Sequence, residues 1–235
     1  MNWDHWWEAK LKNPKPEELI DPLEIRYYSM LERMVLDEIG DVTEKKIVEV
    51  GCGSGVLSFR LAQKKANVFL VDDSKLALSY AKKIGAVTKS NAVFTESKAE
   101  KLPFKDNYFD VYHSMGLIEH YEEKKIFDIL VESKRVVVPG GKIMIGVPNI
   151  ANPEFFMGWL FGGRDENIMG PKRLLKLFRS VGFNNVHISY IPEVIFCRSF
   201  FKSKLGLRIL NFYSSRIEKT LEMMGFLIVA IGENP

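Results

Sequence analysis

Three glycines, Gly51, Gly53 and Gly55, fall within five residues in the stretch VEVGCGSG, between a β-branched run and a helical one. Glycine at such a turn adopts left-handed φ at little cost and, lacking a Cβ, lets a ligand come close to the backbone. A phosphate clamp of the form G-x-x-x-x-G-K-[ST] needs a lysine and a hydroxyl for the phosphates and Mg²⁺. Here the turn runs into Val56-Leu57, which excludes that chemistry. The dinucleotide pattern G-x-G-x-x-G is broken as well, because Val56 stands where its third glycine packs helix against strand. The next β-type run ends in LVDDS, with Asp72 at the distance where a carboxylate accepts both hydroxyls of a ribose. A carboxylate there repels a 2′-phosphate and argues against NADP. What remains is a tight turn whose amides and carbonyls meet a ribose-bearing ligand in a crevice between the first and fourth strands.

Those residues need a scaffold, and the chain supplies one by alternation. From Lys46 onward, short β-branched runs alternate with helical patterns, which signals β-α-β units and a parallel sheet. Strands are expected at 46–50, 67–71, 92–96, 109–115, 142–147, 185–191 and 226–232. Helices are expected at 55–65, at 74–85 with Ser74 as N-cap and Gly85 near the end, and at 122–138, stopped by Pro139-Gly140-Gly141. A further helix starts at Pro171. The resulting fold class is α/β, a doubly wound, mostly parallel sheet with helical cap additions. Residues 1–44 form an amino-terminal helical cap segment, with helical periodicity over 22–39. Residues 45–191 form the core, 192–222 a helical cap insertion, and 223–235 the last core strand. Appendages of this kind cover the carboxyl ends of the strands, where open α/β sheets bind ligands.

Composition bounds the setting. At 235 residues and 46% apolar content the chain suits one large α/β domain with embellishments. Its densest apolar run, FLIVAI at 226–231, has strand length rather than membrane-spanning length. The amino terminus lacks a basic region followed by an apolar one, so a secretory signal is not expected. Two cysteines, Cys52 and Cys197, make neither a disulfide framework nor a metal set. A reduced, cytoplasmic protein without a metal is expected. The net charge of +3 conceals an asymmetry: residues 1–50 carry 7 basic and 12 acidic side chains, residues 164–219 carry 11 and 4. A basic carboxy-terminal third either faces an anionic partner or is a solvated helix face.

Four segments in order resemble the class I S-adenosylmethionine-dependent methyltransferase family: VEVGCGSG, LVDDS, AEKLPFKDNYFDVYHSMGLIEH and RVVVPGGKIMIGVPN. The resemblance covers about residues 46–149. It implies a Rossmann-like, seven-stranded sheet with the last strand antiparallel, and S-adenosyl-L-methionine as cofactor. It places Glu49, Gly51, Cys52 and Gly53 beside the cofactor's methionine end, Asp72 on the ribose hydroxyls, and Asp73 and Ser74 beside adenine or ribose. Ala99 stands where the family offers a backbone amide to the adenine. The position before it is commonly an acid; here it is Lys98, so Glu96 or Glu100 would substitute. Ser114, Met115 and Gly116 are expected to line the methyl-donor pocket.

Methyl transfer from a sulfonium is an in-line displacement, for which alignment and exclusion of water are the main tasks. A hydroxyl or acidic-carbon acceptor also benefits from a base. His120, in GLIEHY after the fourth strand, is the catalytic candidate; capping the next helix is its plain structural alternative. His113 and His187 are read as structural. The D/N-P-P-Y/F motif of amino-methyltransferases is absent, that site reading HSMG, and so is a Pro-Cys nucleophile. Nucleic acid is therefore disfavoured, and a small-molecule or lipid-like acceptor, methylated on oxygen or carbon, is expected. Aromatics interleaved with Arg and Lys over 196–213, together with 152–163 and WDHWW at 3–7, would suit an apolar or membrane-borne acceptor, or pack a cap or a homodimer. Two other readings stay open: a non-catalytic module that binds the same cofactor, and a nicotinamide-dependent oxidoreductase.

Overall fold

The computed structural model describes residues 3–12, 22–152, 167, 169–191 and 227–235. The expected cap insertion at 192–222 and the aromatic stretch 153–163 lie outside the described residues. The described chain runs α1 (Trp3–Leu11), α2 (Pro22–Ile39), β1 (Lys46–Val50), α3 (Val56–Ala62), β2 (Asn67–Asp72), α4 (Lys75–Thr88) and β3 (Val93–Glu96). It continues with β4 (Phe109–Met115), a single 3-10 turn (Ile118–His120), α5 (Glu123–Val136), β5 (Val137–Pro148), α6 (Pro171–Val181), β6 (Asn184–Ile191) and β7 (Leu227–Glu233).

The seven strands form one sheet in the order β3-β2-β1-β4-β5-β7-β6. β1 to β5 run parallel, and β7 is antiparallel to both β5 and β6. After β1 the chain winds outward through β2 and β3, then returns to the other side of β1 as β4. The strand order thus reverses between β1 and β4, which opens a crevice at their carboxyl ends.

Both faces of the sheet are covered, so the central strands read as nearly continuous apolar runs. Val48, Val50, Tyr112, Ile143, Ile145 and Ile228 point to one face, packed with Ile129 and Leu130 of α5 and Leu174 and Phe178 of α6. Ile47, Val111, Met144, Val229 and Ile231 point to the other, against Leu31 and Val35 of α2 and Leu57 and Leu61 of α3. This alternation also sets polar residues: Glu49 and His113 sit opposite each other in the β1–β4 ladder, on the α3 face.

Two boundaries differ from expectation, each for a physical reason. α4 continues through Gly85 to Thr88 and is closed by Lys89 in the left-handed region. Gly85 is an interior residue, where a Cβ would stand 3.0 Å from the Phe59 ring. Close packing on Phe59 outweighs the roughly 1 kcal/mol that glycine costs a helix relative to alanine. α5 ends at Val136, ahead of Pro139, and β5 already begins at Val137. A run of three β-branched valines favours the extended chain. Pro139-Gly140-Gly141 is a bulge within β5, where the ladder to β4 shifts register between Phe109–Val137 and Val111–Lys142.

The loop before β4 is anchored rather than loose. Arg135 donates to Glu132 (2.6 and 2.7 Å), to Asp106 (2.6 Å) and to the carbonyls of Leu102 and Phe104. Glu132 in turn accepts the Leu102 amide at 2.6 Å. Among the described residues, no helix is long and apolar enough to cross a membrane.

Candidate active site

A cavity of about 280 Å³ opens at the β1–β4 reversal, floored by the carboxyl ends of β1, β2 and β4 and walled by α1 and α2. Its sharpest turn is the glycine loop. Gly51, Gly53 and Gly55 all have positive φ, at 68°, 50° and 67°. A Cβ on Gly51 would lie 2.8 Å from Leu117, and one on Gly55 2.7 Å from Leu70. The loop is thus closed to larger residues by both conformation and space.

Asp72, at the end of β2, ties the loop together. Its Oδ2 accepts the Gly53 amide and its Oδ1 the Ser74 amide, both at 3.0 Å. Burial raises its pKa, the two amides oppose that, and the charges of Asp73 and Asp4 add to the rise. Ser74 N-caps α4, its hydroxyl accepting the Ala77 amide at 3.3 Å and donating to Asp4 of α1 at 2.7 Å. Asp73 lines the cavity beside them, and Ala99 and Ser97 line the same end.

Glu49 lines the floor, is buried, and has an Oε2 without a hydrogen-bond partner among the described residues. Burial pushes its pKa up to about 7; the Ser58 hydroxyl and amide oppose the rise, and the charge of Asp72 adds to it. Cys52 is buried too. Burial, with Asp72 and Glu49 nearby, holds its thiol well above its ordinary pKa, which removes it as a nucleophile. Its amide completes the turn by donating to Val71 O at 3.0 Å.

At the other end of the cavity stand Met115, Gly116 and Leu117, then His120 and Tyr121. His120 is half-buried in the 3-10 turn, with Nε2 3.9 Å from Glu119 Oε1. Tyr121 is pushed up to about 12, by burial first and then by Asp73, Glu100 and Asp72, and stays a neutral donor.

Two expected site residues do not line the cavity. Ser114 is fully buried, and its hydroxyl donates to Val50 O at 2.7 Å, pinning β4 to β1. Lys98 is exposed and does not line the cavity; Glu96 and Glu100, expected as substitutes, face Lys75 (3.8 Å) and Lys125 (3.3 Å). The remaining expected residues, Glu49, Gly51, Cys52, Gly53, Asp72, Asp73, Ser74, Ala99, Met115 and His120, all border one space.

The walls were less legible. Trp7 is buried 3.2 Å from where a Gly53 Cβ would stand and packs on Tyr80, with ring centroids 5.5 Å apart. Trp6, Lys10, Tyr27, Tyr28 and Leu31 complete that side, and the Tyr28 hydroxyl meets Ser54 Oγ at 3.2 Å. The aromatic 3–7 segment stood out in the sequence. Tyr27, Tyr28 and Leu31 were visible only as one more apolar face of a helix.

Comparison with known proteins agrees with this core. A family model described as a methyltransferase domain matches residues 47–141. A ubiquinone biosynthesis O-methyltransferase of Nitrosomonas europaea is 30% identical over 163 residues, and one of Pseudomonas aeruginosa 27% over 161. Each match takes in 67% of this chain and 63% of the relative, so the chain spans somewhat under two thirds of those relatives' length. In structure, a SAM dependent methyltransferase from Archaeoglobus fulgidus superposes with a TM-score of 0.62 at 15% identity, covering 99% of this chain and all of its own, a likeness of fold. The glycine turn and the acid closing β2 lie within the matched residues 47–141, which form a methyltransferase domain, and the seven-stranded sheet with one antiparallel strand has the fold of a SAM dependent methyltransferase.

Proposed function

We propose that the protein transfers a methyl group from S-adenosylmethionine to an oxygen of a small or lipid-like acceptor. One observation carries this reading: a single cavity runs from Asp72, past the Gly51–Gly53 turn and Glu49, to Met115 and His120. The residues present fit the cofactor. Among the described residues each Asp72 oxygen accepts one amide and keeps a lone pair for a ribose hydroxyl. The buried Oε2 of Glu49 lacks a partner among the described residues, as expected of an acid that awaits an ammonium group. The cofactor supplies a methyl group already activated on a sulfonium.

The chain's own tasks are then to orient, to exclude water and to accept a proton. Gly51 and Gly53 bring the backbone to the ligand, and Trp7 closes the cavity over Gly53. Met115 and Leu117 give the reacting end apolar walls. His120 stands at the rim, where a ring nitrogen takes the proton of the acceptor hydroxyl as the oxygen is methylated. An oxygen acceptor is supported by the relatives named as ubiquinone biosynthesis O-methyltransferases. A lipid-like acceptor is supported by the aromatic walls at Trp6, Tyr27 and Tyr28 and by the aromatic and basic sequence of 196–213, which lies outside the described residues.

Incubation with tritiated-methyl S-adenosylmethionine and separate lipid, small-molecule and RNA extracts tests this. Label is expected in the lipid or small-molecule fraction, in a product stable to base as an ether is. Cofactor binding without transfer to any fraction, or transfer to RNA, would contradict it.

A further inference from the structure

Beneath the glycine turn lies a buried polar chain that ends at Glu49 and whose other members, Ser58 and His113, the methyl-transfer reading does not use. Glu49 of β1 and His113 of β4 are ladder partners on the sheet face that carries α3. Ser58, in the first turn of α3, stands between them; it and His113 are fully buried. Ser58 Oγ lies 3.3 Å from His113 Nε2, and the Ser58 hydroxyl and amide face Glu49 and oppose the rise in its pKa. The amide belongs to the first turn of α3, so Glu49 meets the positive end of that helix's dipole. Two atoms of the chain have no partner among the described residues, His113 Nδ1 and Glu49 Oε2.

The direction of the hydrogen bonds follows from those two atoms. Burial lowers the His113 pKa to about 3, so its ring is neutral and carries one proton. A proton on Nδ1 would leave a buried N–H without an acceptor, the costlier kind of orphan. The proton therefore sits on Nε2 and is donated to Ser58 Oγ, which turns the Ser58 O–H toward Glu49. Every donor in the chain then points at one carboxyl, whose second oxygen belongs to the cavity.

We propose that Ser58 and His113 are positioning residues for the methyl donor, holding the Glu49 carboxyl as the counter-charge of its ammonium group, so that donor binding expels one proton from Glu49. This rests on the reading of the cavity as the S-adenosylmethionine site. With the cavity empty, burial and Asp72 keep Glu49 protonated up to about pH 7. A cation beside it lowers that pKa, so binding releases a proton below about pH 7 and affinity rises with pH there, by at most tenfold per unit, then levels off. Of the other groups that face Glu49, Asp72 on β2 is a like charge, and Cys52 in the turn and His113 on β4 stay neutral; Lys10 of α1, Tyr28 of α2, His120 and Tyr121 line the same cavity, and Glu49→Gln separates their contribution from that of Glu49.

Calorimetric titration of the whole protein with S-adenosylhomocysteine, which carries the same ammonium group, reads the proton directly. Titrations in two buffers of different ionisation enthalpy are expected to show close to one proton released at about pH 6 and close to none at about pH 8. Glu49→Gln is expected to abolish the release and flatten the pH dependence. His113→Leu is expected to weaken binding about tenfold at pH 8, and His113→Gln, which keeps a donor at that reach, to restore most of it. Nitrogen-15 shifts of the wild-type ring should show His113 protonated on Nε2, whether or not a variant folds. Binding without proton release at pH 6, release that survives Glu49→Gln, or a ring protonated on Nδ1 overturns the inference alone. Absence of S-adenosylhomocysteine binding by the wild type at every pH would instead overturn the reading of the cavity.

Discussion

Replacing Asp72 by alanine should lower affinity for S-adenosylhomocysteine by about a hundredfold or more, the largest binding effect of any single cavity residue. The carboxylate is asked to hold two hydroxyls, and hydrogen bonds to a charged group contribute about 1.5–3 kcal/mol each. Two of them amount to about 3–6 kcal/mol, or roughly 10²- to 10⁴-fold in affinity. Asp72 also accepts the Gly53 and Ser74 amides, so its removal frees the glycine turn and the start of α4 together. Thermal stability should fall with affinity. Asp72→Asn keeps one acceptor oxygen and should lie between wild type and alanine. Calorimetric titration alongside a thermal melt checks both parts; an Asp72→Ala protein that binds within threefold of wild type would place the ribose elsewhere.

The second large effect is expected at His120. His120→Gln should reduce kcat by about 10²- to 10⁴-fold, the range of a lost general base. Cofactor affinity should stay within about twofold, because the glycine turn, Glu49 and Asp72 remain in place. The sign of the pH dependence follows from the role. A base acts unprotonated, so the wild-type rate rises with pH as the base loses its proton and then levels off, and the variant loses that acidic limb. Single-turnover rates from about pH 5.5 to 8.5 decide the matter. A variant that keeps both the wild-type rate and its acidic limb would reduce His120 to a packing residue of the 3-10 turn.

The parts of this molecule that could be read from residues alone are those set by local chemistry. β4 at 109–115 and α2 at 22–39 have their expected bounds, because alternation and helical periodicity are strong there. Positive φ at Gly51, Gly53 and Gly55 follows from a turn that no other residue fits. Misjudged points are those where a distant contact decides. Gly85 resembles a helix end until Phe59 is seen against it, and Pro139-Gly140-Gly141 resembles a stop until β4 is seen beside its bulge. Ser114 faces β1 rather than the ligand, because Val50 O stands within its reach. The Glu49–Ser58–His113 chain is invisible in the sequence for the same reason. Its members lie on β1, α3 and β4, and only the parallel register brings Glu49 opposite His113. Trp7 and Tyr28, likewise, belong to the cavity only through the docking of α1 and α2.

Calorimetric titration of the wild-type protein with S-adenosylhomocysteine, with NAD titrated in parallel, tests the central claim most directly: that the crevice between β1 and β4 holds the methyl donor. The account predicts saturable binding of S-adenosylhomocysteine at one site per chain and no heat from NAD at the same concentrations. Binding of NAD, or none of S-adenosylhomocysteine, would contradict it.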